Sequence, residues 1–152
     1  MTRNILLVED DENDVFFFKR AMKLAQWTDP LQVAHDGKQA IEYLSGSGPF
    51  SHRDEFPLPA LLLLDLKLPY VNGLEVLKWI RDNPSLRQIA VIVLSSSREE
   101  IDVDRACQLG ANAYVVKPAA SEELVDLVKS IRGFWMKHNQ FCSNVSALSC
   151  NS

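Results

Sequence analysis

Leu61-Leu62-Leu63-Leu64-Asp65 sets four consecutive leucines directly before an acid. A short apolar run that ends in polar and turn-forming residues (Lys67, Pro69, Asn72-Gly73) reads as a strand covered on both faces. We take it as Ala60–Leu64. Two further runs share its character, Asn4–Val8 before it and Ile89–Leu94 after it. Leu31–His35 and Ala113–Val116 are shorter or alternate with polar residues, as strands at a sheet edge do. Helix-period stretches separate these five runs. Val15, Phe18, Met22 and Ala25 share one helical face; so do Ala40, Ile41 and Leu44, after Asp36 as a cap; so do Leu74, Leu77 and Ile80. Ser97-Arg98-Glu99-Glu100 has capping-box spacing and is expected to open a fourth helix (α4) with a thin stripe of Ile101, Ala106 and Leu109. Ser121 is expected to cap a fifth (α5), carrying Leu124, Val128, Ile131 and Trp135 to about His138, after the fifth strand (β5, Ala113–Val116). Strand alternating with helix gives an α/β domain with a doubly wound parallel sheet. Central strands 1, 3 and 4 with edges 2 and 5 match the flavodoxin-like order 2-1-3-4-5, with helices on both faces.

One domain accounts for the 152 residues, of which 47% are apolar. We set it at residues 1–138 and the polar, serine-rich 139–152 as a C-terminal tail. Residues 45–59, rich in Gly, Ser and Pro, read as a long surface loop. The net charge of −4 does not mark a nucleic-acid or membrane-surface binder. Ile5–Val8 and Leu61–Leu64 are too short for a signal segment or a span, and the expected location is the cytoplasm. Cys107, Cys142 and Cys150 make no even disulfide framework and no paired zinc ligands, so they read as reduced thiols. His35, His52 and His138 share no neighbourhood. Phe16-Phe17-Phe18 cannot all face one core: either the helix is covered on more than one side, or aromatic surface is left for a partner.

The chemistry gathers at the carboxyl ends of four strands, where open α/β sheets bind ligands. Glu9, Asp10 and Asp11 follow the first, Asp65 the third, Ser95 the fourth and Lys117 the fifth. Glu9, Asp10 and Asp65 against Lys117 leave two negative charges uncompensated, which one Mg²⁺ would cancel. Mg²⁺ takes oxygen ligands, keeps waters and commonly bridges carboxylates to a phosphate. Such a site suits an incoming phosphoryl group with Asp65 as in-line nucleophile, Ser95 donating a hydrogen bond to one phosphoryl oxygen and Lys117 pairing with another. Taken alone, Glu9–Asp14 reads equally well as a solvated helix start; Asp65 on the same edge favours the metal. Asp10–Asp14 is not a calcium loop, because Val15 replaces the required glycine and Ala21 the terminal glutamate. Gly46-Ser47-Gly48 lacks the third glycine of a dinucleotide fingerprint, and no Walker A pattern exists.

Leu6-Leu7-Val8-Glu9-Asp10, Leu64-Asp65-Leu66-Lys67-Leu68-Pro69 with Asn72-Gly73, Val93-Leu94-Ser95-Ser96 and Tyr114-Val115-Val116-Lys117-Pro118 resemble, in order and spacing, the motifs of response-regulator receiver domains over roughly residues 3–138. The resemblance implies Asp65 as phosphoacceptor, Glu9 and Asp10 as metal-binding acids, and the backbone carbonyl of Lys67 as a further Mg²⁺ ligand. It implies Ser95 as switch hydroxyl, Lys117 as phosphate-pairing lysine before a bond to Pro118 that is often cis, and Tyr114 as the aromatic that turns inward. The protein is then a phosphorelay signalling module, not an enzyme. The loop before the third strand and Phe134-Trp135 in an extended last helix resemble the small regulators paired with bacterial phytochrome histidine kinases. That implies such a kinase as partner and a homodimer through the α4-β5-α5 face. Lys67 lies beside the phosphoryl site, and the sequence does not give the sign of its effect on acyl-phosphate lifetime.

Other functions fit less well. A haloacid-dehalogenase-like phosphatase places a second aspartate two residues after the first, where this chain has Lys67. A phosphorylation-independent receiver-like binding module usually lacks part of the acid set, which is complete here. A flavodoxin would need a phosphate-cradling loop where Glu9-Asp10-Asp11 would repel the phosphate.

Overall fold

The computed structural model describes residues 3–138. Five strands, β1 (Ile5–Val8), β2 (Leu31–Ala34), β3 (Leu61–Leu64), β4 (Ala90–Ser95) and β5 (Ala113–Val116), form one parallel sheet in the order β2-β1-β3-β4-β5. Helices α1 (Glu12–Leu24), α2 (Gly37–Ser45), α3 (Gly73–Asp82), α4 (Glu100–Gln108) and α5 (Ser121–Ile131) connect and follow them. The expected flavodoxin-like α/β fold is therefore present. The tail 139–152, with Cys142 and Cys150, lies outside the described residues; Cys107 is an exposed free thiol.

The period-2 alternation of the strands divides the apolar residues between two cores. Ile5, Leu7, Leu61, Leu63, Ile92 and Leu94 face Val15, Phe18, Ala21 and Met22 of α1 and Val128 and Ile131 of α5. Leu6, Val8, Leu62, Leu64 and Val91 face Ala40, Tyr43 and Leu44 of α2 and Val76, Leu77 and Ile80 of α3. β1, β3 and β4 are buried throughout, whereas β2 and β5 are mostly half-buried, as edge strands should be. Of the three phenylalanines on α1, Phe18 enters the core; Phe16 and Phe17 stay exposed, their rings edge-to-face at 5.4 Å. Aromatic surface is thus left uncovered.

Two caps differ from expectation. Asp36 does cap α2, accepting from the Gln39 N–H at 2.7 Å. Ser97 does not cap α4, because the helix begins only after Glu99; the Ser97 hydroxyl donates to Asp102 and accepts from the Glu99 N–H at 3.3 Å. Ser121 is the first residue inside α5, preceded by Ala120 with no side-chain cap. α4 is also more lightly held than its stripe suggests. Ala106 is buried, but Ile101 is 54% exposed. Beyond Ile131 the chain continues as a wider π-type turn through Arg132–His138.

The segment before β3 is a built element. Gly48–Phe50 forms a 3-10 turn, and Tyr43, Phe50 and Phe56 pack their rings together. The Tyr43 hydroxyl donates to the Pro57 carbonyl, and the Arg53 guanidinium donates to the carbonyls of Tyr43, Leu44 and Phe56, satisfying the C-terminal end of α2.

Where α3 begins, its backbone lies against the end of β3. A Cβ on Gly73 would stand 2.2 Å from the Asp65 carbonyl oxygen and 2.6 Å from the Leu66 Cα. Both obstacles are backbone, so neither can turn aside. Gly73→Ala should destabilise the fold by about 1–3 kcal/mol, as overpacking does. The check is a lower urea midpoint at unchanged denaturant slope.

Candidate functional site

Register brings the strand tips level. Val8 pairs with Leu64, and Leu64 with Val93, so Glu9 and Asp65 leave the sheet side by side; Ser95 pairs with Val116, one residue before Lys117. The Lys117 N–H donates to the Ser95 carbonyl at 2.8 Å, which extends the ladder to the lysine itself. The Lys117–Pro118 peptide is trans. This corrects the cis bond that the resemblance suggested: trans is the lower-energy isomer before proline.

The side chains then converge. The Lys117 ammonium donates to Glu9 Oε1, to Asp14 Oδ2 at 3.0 Å and to Asp65 Oδ2 at 3.3 Å. Glu9 and Asp65 are buried, and Asp10 is exposed. Carboxylate oxygens of Glu9, Asp10 and Asp65 lie within 4.8 Å of one another. An all-oxygen set of three acids at that spacing fits a hard divalent cation such as Mg²⁺ or Mn²⁺ better than a soft one. The second Glu9 oxygen accepts from the Asp11 N–H at 3.2 Å. Asp65 Oδ1 accepts from the Lys67 N–H at 3.4 Å, so the chain turns back over the carboxylate while the Lys67 side chain is exposed.

Ser95 is fully buried, and its Oγ accepts from the Ser97 N–H at 3.2 Å. The Tyr114 hydroxyl donates to the Ser97 carbonyl at 2.9 Å, and the ring packs beside Leu66, Val93 and Ala106. Both residues singled out as switch elements therefore hold the same residue, Ser95 through the Ser97 N–H and Tyr114 through the Ser97 carbonyl, and the Ser97 hydroxyl holds Asp102 on α4.

Asp14 was not singled out from the sequence as a partner of Lys117. It sits in the first turn of α1, which Asp11 caps by accepting from the Asn13 N–H at 2.8 Å and the Asp14 N–H at 3.3 Å. Its contact with Lys117 spans 103 positions, and local spacing carries no trace of it. Beside this pair a cleft of about 360 Å³ opens, bounded by Phe17, Leu94, Pro118 and Leu124.

Burial pushes the Glu9 carboxyl up from 4.5 to about 7; the Asp65 charge adds to this, and the hydrogen bond and charge of Lys117 oppose it. For Lys117, burial pulls the pKa down, but the Glu9 hydrogen bond, the Asp65 charge and the Asp14 hydrogen bond together outweigh burial and raise it. The ammonium stays charged at neutral pH.

A sequence profile of the response regulator receiver domain matches residues 5–129. The chain is 36% identical over 133 residues to response regulator Rcp1 of Synechocystis sp., covering 88% of each chain. It is 37% identical over 139 residues to a probable methanogenesis regulatory protein, FilR2, of Methanothrix harundinacea, covering 90% of this chain and 85% of the relative. Among solved structures, the phosphorylated cyanobacterial phytochrome response regulator RcpA superposes with a TM-score of 0.87 at 34% identity, covering 94% of this chain and all of that one. The Mn²⁺-bound form of Rcp1 superposes at 0.84, also at 34% identity, covering 93% and 99%. Among the described residues no helix is long and apolar enough to cross a membrane.

The raised Glu9 pKa gives a pH-dependent outcome. Between 4.5 and about 7 the cation-free folded protein binds a proton that the unfolded chain does not. That contribution to stability is present below about pH 4.5 and is lost as pH rises through 7. A divalent cation competes for the same carboxylates and replaces the proton. MgCl₂ should therefore raise Tm by several degrees at about pH 8 and much less at about pH 5.5. Equal shifts at both values, in thermal melts followed by circular dichroism, would show that the cation does not engage Glu9.

Proposed function

The chain belongs to the response regulator receiver family, and from that premise we propose that it is a two-component switch in which Asp65 accepts a phosphoryl group from a sensor histidine kinase. It is a phosphoacceptor signalling module rather than a classical enzyme, and receiver domains partner with histidine kinases. The observation that carries the reading is the meeting of Glu9, Asp10 and Asp65 within 4.8 Å, with the Lys117 ammonium bonded to Asp65.

In this reading Mg²⁺ is held by Glu9, Asp10, Asp65 and the backbone carbonyl of Lys67. When bound, it neutralises the charge that gathers on phosphoryl and carboxylate oxygens. The Asp65 carboxylate attacks the phosphorus of a phosphohistidine in line. An O–P bond forms, the P–N bond breaks, and the electron pair leaves with the imidazole, giving an acyl phosphate. The Lys117 ammonium pairs with one phosphoryl oxygen. The Ser95 hydroxyl turns to another and releases the Ser97 N–H that its Oγ accepts in the resting geometry. Ser97 is also held at its carbonyl by Tyr114 and, through its hydroxyl, by Asp102. Its movement therefore draws on the tyrosine and on α4 together, and the α4-β5-α5 face changes shape. The single fully buried side chain of α4 supports its role as the mobile element.

We assign the partner to the phytochrome class of histidine kinase. The similarity to Rcp1 and RcpA supports this, as do the ordered loop before β3 and the exposed Phe134 packed edge-on against Trp135 at 5.2 Å. Exposed Phe16 and Phe17, next to the cleft beside Lys117, offer the kinase apolar surface. Residues 1–138 form the receiver unit and 139–152 its tail. The protein acts in the cytoplasm as a homodimer through the α4-β5-α5 face.

Incubation with Mg²⁺ and acetyl phosphate should give a single hydroxylamine-labile phosphoryl modification that is absent from Asp65→Asn. A labelled Asp65→Asn protein would move the acceptor elsewhere. With beryllofluoride and Mg²⁺ bound, amide shifts in ¹H–¹⁵N spectra should change across Ala113–Val116 and both flanking helices; a face that stays silent would sink the switch.

A further inference from the structure

Half-buried Lys117 has one acidic partner that the metal group does not use. An ammonium carries three N–H donors, and Lys117 uses them on Glu9, Asp14 and Asp65. Glu9 and Asp65 are also members of the carboxylate group whose oxygens lie within 4.8 Å of one another, and Asp14 is not. Exposure separates them further. The Asp14 side chain is 45% exposed, against 4% for Glu9 and 9% for Asp65. The Asp14 carboxylate therefore keeps its contact with solvent. Its backbone is fixed by the Asp11 cap, which holds the N–H groups of both Asn13 and Asp14.

A divalent ion among Glu9, Asp10 and Asp65 repels the ammonium and draws on the same oxygens that hold it. Glu9 Oε1 accepts from Lys117 and Oε2 from the Asp11 N–H, so a cation on either oxygen would share it with a hydrogen bond already present and weaken that bond. We propose that Asp14 is a positioning residue: it keeps the Lys117 ammonium turned toward Asp65 after the cation has engaged Glu9 and Asp65. This rests on the phosphoacceptor reading of Asp65. Asp14 touches no phosphoryl group itself and acts through the lysine.

The test compares wild type, Asp14→Asn and Asp14→Glu as full-length proteins. With saturating Mg²⁺ and ³²P-labelled acetyl phosphate, Asp14→Asn should be phosphorylated about three- to fivefold more slowly, the range open to a partly exposed ion pair. Its Mg²⁺ affinity should stay within about twofold of wild type. The ¹⁵Nζ ammonium resonance of Lys117, assigned by its loss in Lys117→Arg, should be sharp in Mg²⁺-loaded wild type. It should be exchange-broadened in Asp14→Asn and recovered, together with the rate, in Asp14→Glu. An unchanged ammonium resonance in Asp14→Asn overturns the proposal, whether or not the rate falls. If wild type takes up no label, the phosphoacceptor reading fails, while the resonance still reports separately whether Asp14 holds the lysine beside a bound cation.

Discussion

A half-buried ammonium among carboxylates is the interaction on which the rest of this protein turns. Lys117 reaches Glu9, Asp14 and Asp65 from the far end of the chain, and it brings one positive charge to an edge that holds four acids once Asp10 is counted. One lysine does not balance them. Burial, with a smaller contribution from the Asp65 charge, raises the Glu9 carboxyl to about 7, so that a proton competes for the same place. The fold thus contains an unmet demand for positive charge at one place. Such a place attracts a divalent cation and, once the cation is there, tolerates a phosphoryl group. In the proposed cycle the same imbalance serves metal binding and phosphoryl transfer in turn.

Rigid placement makes that imbalance usable. Glu9, Asp65, Ser95 and Lys117 stand at the ends of strands whose central members are buried on both faces, so their backbones have little freedom to spread the charges apart. Gly73 brings α3 against the Asp65 carbonyl with no side chain between, closing the other side. α4 is the contrast: one fully buried residue, an exposed Ile101 and no side-chain cap. Tight and loose elements meet at Ser97, whose N–H is held by Ser95 on the acid side and whose carbonyl is held by Tyr114 on the helix side.

The sheet was readable because burial writes itself into sequence. Strands covered on both faces must be apolar at every position, and the runs ending at Val8, Leu64 and Leu94 are. The positions of Glu9, Asp65, Ser95 and Lys117 followed from the same patterning, since a residue that ends a central strand stands at the ligand-binding edge. What could not be read depended on exact position or on distance. Ser97 and Ser121 have the residue type of a helix cap. Ser97 lies two positions before Glu99, which takes the cap position of its helix, and Ser121 lies one position inside its helix. Asp14 looked like one more acid at a helix start, because only the folded chain brings it to Lys117. The segment before β3 read as a long surface loop from its Gly, Ser and Pro content. Its order comes from Arg53 and three aromatic rings, scattered single residues that make no periodic pattern.

A switch can shift its equilibrium only by the difference in free energy that the incoming group finds between two states. In the proposed switch that difference has few places to arise. The acids and Lys117 are fixed by the sheet and by one another, so a phosphoryl group on Asp65 gains little from moving them. Ser95 is different: its hydroxyl is committed to a neighbouring backbone N–H at 3.2 Å, a neutral bond of ordinary strength. A hydrogen bond to a phosphoryl oxygen is charge-assisted and roughly twice as strong. Exchanging one for the other supplies a driving force of the order of a single hydrogen bond. That is small against the stability of either core, but sufficient for an α4 held by one buried alanine and a tether through Ser97. The economy of the device lies in that match between a modest driving force and a lightly packed helix.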